Sequence, residues 1–124
     1  MMEIIYNGTT YLALLLGCYD GDTCTIRFSD SNPIVAEQRL RLSGFDTPEI
    51  RGKCDMEKQM AKDARDFTRN YLKSNSVAWV ITTRDKYGRV VVEIDGLADS
   101  LVQMGLARYY DGKSKRLGWC DDQS

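Results

Sequence analysis

The stretch QRLRLSGFDTPEIRGKCDMEKQMAKDARDFTRNYLK, residues 38–73, decides the fold. Its first five residues alternate. Leu40 and Leu42 face one way, Arg39 and Arg41 the other, as in a half-buried strand. Pro48 and Gly52 then break the chain. Over residues 55–73 the positions Met56, Met60, Ala64, Phe67 and Tyr71 recur at helical spacing, with Leu72 beside them. That pattern predicts one long amphipathic helix with this face in the core. Asp55 suits the N-cap, and Glu57 falls in the first turn, where a negative charge favours the helix dipole.

The flanks complete the architecture. Residues 10–18 are an apolar run of strand length. Gly21 marks a turn, and Thr23-Cys24-Thr25-Ile26-Arg27-Phe28 alternates as a second strand. Residues 29–33 are polar and turn-rich. Downstream of the helix, residues 77–83 form another apolar run, residues 85–88 a turn, and Arg89-Val90-Val91-Val92-Glu93-Ile94 a strand. After the turn Asp95-Gly96, residues 98–104 suit a short helix with Leu101, Val102 and Met104 facing inward, stopped by Gly105. The tail from Asp111 is polar and irregular. Three strands, a long helix, two strands and a short helix in one small chain point to an α+β fold of mainly β character. We expect a five-stranded Greek-key barrel of the OB type with one long and one or two short helices, residues 1–124 forming a single domain.

Composition narrows the chemistry. The 124 residues are 43% hydrophobic and 28% charged, with a net charge of -1. That balance argues against a surface coated in positive charge to grip nucleic acid indiscriminately, so any phosphate-binding patch must be local. Histidine is absent, which removes the commonest general base and the usual zinc ligand. No apolar run approaches the ~18 residues needed to span a bilayer, so no membrane partner is expected. The stretch Tyr11-Leu12-Ala13-Leu14-Leu15-Leu16-Gly17-Cys18 resembles a lipoprotein leader. However, no Lys or Arg precedes it, and cleavage before Cys18 would delete a strand, so it reads as a core strand and not an export signal. Four cysteines allow three disulfide pairings. Cys18 and Cys24 lie symmetrically about Gly21, where a hairpin could set them opposite each other. Cys54 and Cys120 lie in loop-like sequence and could tie the tail to the body. Four free thiols, two of them buried, fit the sequence as well.

Three carboxylates stand at turns or strand ends: Asp22, Asp46 and Glu49. A hard divalent cation wants several such oxygens and tolerates loose geometry, and Thr47 offers a backbone carbonyl beside Asp46. Arg41 and Arg89 both occupy polar positions of otherwise apolar strands. A guanidinium grips phosphate through two parallel hydrogen bonds and never loses its charge. Lys86 could hold a neighbouring phosphate, and Tyr87 could stack or hydrogen-bond. Lys113, Lys115 and Arg116, near Tyr109 and Tyr110, could track a nucleic-acid backbone. Taken singly, each of these residues has an ordinary structural explanation. As a set, they match the cutting of a phosphodiester.

Asp20-Gly21-Asp22-Thr23, Arg41, Asp46-Thr47-Pro48-Glu49, Asp85-Lys86-Tyr87-Gly88-Arg89 and the ending Gly105-Leu106-Ala107-Arg108 together resemble the staphylococcal nuclease (thermonuclease) family, in family order, from about residue 11 to residue 110. The resemblance implies a calcium-dependent nuclease acting on DNA and RNA with little sequence preference. It implies a monomer that prefers single strands and leaves 3′-phosphate ends. Asp22, Asp46 and the Thr47 carbonyl match the family's calcium ligands. Glu49 matches its general base, Arg41 and Arg89 its phosphate-gripping arginines, and Lys86 and Tyr87 its holders of a terminal phosphate. Family members are often secreted. This chain departs from the pattern in three respects: the long C-terminal helix is replaced by a tail ending in Trp119-Cys120, the loop after Glu49 is short, and the charge balance is acidic. The rival reading is a non-catalytic OB-fold binding module. Such a copy should lack some of Asp22, Arg41, Asp46, Glu49 and Arg89, and all five are present.

Overall fold

A computed structural model describes residues 1–29, 37–74, 77–114 and 117–120. Six strands close into a barrel in the order β1-β2-β3-β4-β7-β6. They are β1 (Met2–Tyr6), β2 (Thr9–Asp20), β3 (Thr23–Phe28), β4 (Glu37–Leu42), β6 (Val77–Thr82) and β7 (Val90–Ile94). The expected five are all there, in an OB-type barrel. The sixth, β1, was not singled out from the sequence. It pairs antiparallel with β2 and parallel with β6, so it is the stave that closes the barrel. Closure leaves the barrel itself without an open edge among the described residues. Two further short strands, β5 (Phe45–Asp46) and β8 (Arg108–Tyr109), pair with each other outside the barrel.

Inward positions supply the core: Met2 and Ile4 from β1, Ala13 from β2, Ile26 from β3, Leu40 and Leu42 from β4, Val92 from β7. The apolar run in β2 is only half used for this purpose, because Leu12, Leu14 and Leu16 face outward and are exposed. Among the described residues no helix is long and apolar enough to cross a membrane.

The long helix α1 (Asp55–Ser74) packs against β2. Its buried face differs from the expected one. Glu57, Ala61, Ala64, Thr68 and Leu72 are buried, whereas Met56 is exposed and Phe67 and Tyr71 are only partly covered. The helix is turned by about one residue because small residues let it approach the barrel closely. A Cβ on Gly21 would sit 2.9 Å from Ala64 Cβ and 2.7 Å from Thr47 Cγ2. The Thr68 hydroxyl donates to the Gly21 carbonyl at 2.7 Å, satisfying a backbone acceptor that would otherwise be buried unpaired. Thr68 on this face thus serves the turn beneath it. The short helix α2 (Leu97–Gln103) buries Leu97 and Leu101. Met104, expected to face inward, is its exposed C-cap, because the helix ends one residue earlier than the pattern suggested.

Both disulfides that the sequence allowed as alternatives to free thiols are formed, and no described cysteine is free. Cys18 and Cys24 are a cross-strand pair of β2 and β3. Cys54, just before α1, is bridged to Cys120 in the tail. Of the basic cluster read near the C-terminus, Lys115 and Arg116 lie outside the described residues.

Candidate active site at the barrel rim

The turn between β2 and β3 forms one lip of the rim. Irregularities in β2 between Leu15 and Gly17 and between Cys18 and Asp20 bend the strand there. Asp22 is buried, accepts two hydrogen bonds and makes one ion pair. Its Oδ2 takes the backbone N–H of Thr47 at 3.3 Å and lies 3.5 Å from Arg41 Nη1. Its Oδ1 takes the Thr23 hydroxyl at 3.2 Å, and the same hydroxyl oxygen accepts Arg89 Nη1 at 3.3 Å. Asp22 therefore stands between two guanidinium groups that arrive from distant parts of the chain. Three of the four residues are brought in by strand register. Thr23 opposes Arg41 across β3 and β4, and parallel pairing of β4 with β7 sets Leu40 against Val90, next to Arg89.

Each arginine is held before any substrate arrives. Arg41 Nη2 donates to the Phe45 carbonyl at 2.9 Å, and its Nη1 donates to the Leu42 carbonyl. Arg89 Nε donates to Asp85 Oδ2 at 2.8 Å, while Asp85 Oδ1 accepts the N–H groups of Tyr87 and Arg89, both at 2.9 Å. Burial pushes the Asp85 carboxyl up, but the hydrogen bonds from Arg89 and Tyr87 win and leave it below its ordinary value. The turn itself is fastened by Arg39, which donates to the Tyr87 carbonyl at 2.7 Å, and by Arg84, which donates to Gly88 at 2.9 Å. Lys86 and Arg89 both approach the Tyr87 ring at 5.2 Å. Lys86 and Tyr87 are exposed at the outer edge of the site.

Two further carboxylates come from the segment that follows β4. Asp46 is buried in β5, opposite Arg108 of β8, and Thr47 is buried after it. Glu49 is exposed, one residue past the buried Pro48. Asp20, to which the sequence reading gave no role of its own, stands beside Asp22 at the β2–β3 turn. Its Oδ1 accepts the Asp22 N–H at 3.2 Å. Burial raises its pKa to about 8, with the negative charges of Asp22 and Glu49 adding to the shift. A hard divalent cation near Asp20 and Asp22 would favour their charged forms. The buried Thr47 hydroxyl also lacks a hydrogen-bond partner among the described residues. Asp20, Asp22, Asp46, Thr47 and Glu49 offer only oxygen atoms, which suit calcium or magnesium better than zinc or copper.

Two supporting residues escaped the sequence reading. Glu57 looked like a first-turn dipole residue, yet its buried carboxylate accepts the N–H groups of Glu49 at 3.2 Å and Lys53 at 2.9 Å. Gly52 allows this, because a Cβ there would fall 2.6 Å from the Glu57 side chain. Asp85 looked like a turn residue and proves to orient Arg89. The only signal for Glu57 was an acidic residue in phase with Ala61, Ala64 and Leu72.

The chain is similar to one known protein and to one known family. Over 97 aligned residues it is 30% identical to the probable endonuclease LCL3 of Phaeosphaeria nodorum, covering 69% of this chain and 33% of the relative. It therefore spans about a third of that protein's length. The sequence profile of the staphylococcal nuclease homologues matches residues 39–119, which contain Arg41, the Asp46-Thr47-Pro48-Glu49 run and Arg89. With the barrel, the paired arginines and the acidic lip all in place, the chain belongs to the staphylococcal nuclease homologue family.

Proposed function

We propose that the rim hydrolyses phosphodiester bonds of DNA or RNA, with calcium held by Asp22, Asp46 and the Thr47 carbonyl and with Asp20 close by. The observation that carries this reading is the placement of Arg41 and Arg89 around Asp22. Two fixed guanidinium groups beside an acidic cluster have little use in a calcium-binding structural protein or an inert barrel. They suit a phosphate whose charge must be matched from one side by arginine and from the other by a cation.

Calcium, when bound, would supply charge neutralisation and polarise the phosphate and a water. The protein's own groups do the rest. Arg41 and Arg89 contact the non-bridging phosphate oxygens and favour the five-coordinate phosphorus over the ground state. Because Phe45 and Asp85 already orient them, little reorganisation remains at the moment of reaction. Glu49, exposed and held by its backbone to Glu57, takes a proton from the attacking water. Lys86 and Tyr87 hold the adjoining phosphate. Departure of the 5′ oxygen leaves a 3′-phosphate. With so few protein ligands, calcium should bind the free protein weakly, with a Kd of roughly 10⁻⁴ to 10⁻³ M.

The test is degradation of heat-denatured DNA and of RNA with calcium, with magnesium and with a chelator, followed by analysis of the product ends. Calcium-dependent cleavage leaving 3′-phosphates is expected from the parent and not from the Glu49→Ala/Arg89→Ala double variant. Binding of single strands without cleavage would replace the enzyme by the non-catalytic binding module.

A further inference from the structure

The tail from Leu117 to Cys120 forms one wall of a cleft beside Glu49. This open cleft of about 310 Å³ is lined by the loop from Glu49 to Lys53 on one side and by Leu117, Gly118 and Trp119 on the other, with Glu57 between them. Its size is at the small end of ligand-binding pockets. The wall is fixed at three points. The Cys54–Cys120 disulfide anchors its end to the start of α1. The Arg108 guanidinium lies 3.8 Å from the centre of the Trp119 ring, and Arg108 Nη1 donates to the Leu117 carbonyl at 3.2 Å. Arg51 and Lys53, on the facing loop, make no side-chain hydrogen bond or ion pair with the described residues.

We propose that this cleft is a second nucleotide subsite, which receives the nucleotide next to the bond being cut, with Arg51 and Lys53 on its phosphate and Trp119 against its base. The inference rests on the nuclease reading and extends it to the grip on an extended strand. An aromatic ring offers any base a stacking surface, and unpaired cations beside it track the backbone without reading sequence. A chain of net charge -1 cannot hold a polyanion by its overall field, so local cations at the cleft matter more here than on a basic protein. A flexible single strand fits such a cleft, whereas a rigid duplex would have to unstack to place a base in it. The disulfide and the two Arg108 contacts make the subsite a built feature, because together they hold Trp119 against the cleft.

Two measurements decide the matter. In a Trp79→Phe/Glu49→Gln background, Trp119 is the sole indole fluorophore and cleavage is blocked. A single-stranded oligonucleotide should quench its emission, while a minimal diester of one nucleotide should not. The Arg51→Ala/Lys53→Ala variant should bind the oligonucleotide more weakly, with a slope of log affinity against log salt shallower by about 1.4. In the active protein, Trp119→Ala should lower the ratio of kcat/KM for an oligonucleotide over that for the minimal diester by about 5- to 100-fold. An unquenched indole, an unchanged salt slope or an unchanged ratio would overturn the subsite. If the parent cleaved neither substrate, the nuclease reading would fail, and the quenching titration would still decide whether the cleft takes a nucleotide.

Discussion

Glu57 accepts the backbone N–H of Glu49 at 3.2 Å through one carboxylate oxygen and that of Lys53 at 2.9 Å through the other. A single buried side chain thus ties both ends of the loop that carries the proposed base. Glu57→Ala leaves two partly buried donors without an acceptor and should cost about 1–3 kcal/mol of stability. It should also lower kcat more than it alters KM, because Glu49 loses its placement and the arginines do not. Glu57→Gln keeps one acceptor and should recover part of both losses. Urea denaturation and steady-state kinetics on the three proteins check this.

Gly21 has no room for a methyl group under Thr47 and Ala64. Gly21→Ala should destabilise the protein by about 1–3 kcal/mol through overpacking. Thr47→Ser removes the nearer of the two clashing methyls, so the double variant should regain part of that loss. A denaturation cycle over the four proteins measures the coupling.

Removing either guanidinium should lower the rate on the order of 10³-fold or more in single-turnover cleavage. Arg89→Lys should not rescue it, because a lysine cannot hold Asp85 and a phosphate with one planar fork. Asp85 is held below its ordinary value, so its hold on Arg89 is present at neutral pH and lost as pH falls through that lowered value.

Asp20 has the opposite sign. With its folded pKa raised from 3.8 to about 8, its contribution to stability is full below about pH 4 and is lost as pH rises toward 8. Metal-free protein should therefore melt at a lower temperature at pH 8 than at pH 5. Calcium should cancel much of that difference, and Asp20→Asn should flatten the metal-free profile. Thermal melts with chelator and with calcium at the two pH values report all three.

The Cys54–Cys120 bridge closes a loop of sequence separation 66. Opening it with the Cys54→Ser/Cys120→Ser pair should cost about 4 kcal/mol on the chain-entropy scale. The expected readout is a lower urea midpoint with an unchanged barrel signature in far-UV circular dichroism.

The alternation of Leu40 and Leu42 with Arg39 and Arg41, and the order of strands and helix, suggested the barrel, and the resemblance of the motifs carried it. Period-2 and period-3.6 patterns are local and strong, so both survive without tertiary information. Strand β1 went unread because Met2 and Ile4 alternate over too few residues beside a turn at Asn7-Gly8. The phase of α1 was misread for a different reason. Methionines and aromatics dominate a hydrophobicity pattern, but close approach to Gly21 selects Ala61, Ala64 and Thr68. The arginines and acids were legible as residue types in a familiar order. Their supports were not, because Asp85 and Glu57 act on residues four and eight positions away through hydrogen bonds that leave no periodic trace. Neither disulfide could be chosen from spacing alone, since pairing depends on how the tail returns to α1.

The parallel register of β4 with β7 has a consequence for biosynthesis. Arg41 and Arg89 become neighbours only when Leu42 has met Val92, half a chain later. A nascent polypeptide still threading the exit tunnel with residue 92 inside it has emitted most of its acids but cannot assemble both cationic arms. Whatever the rim does to phosphate, it acquires that capacity only once β7 has emerged and paired with β4.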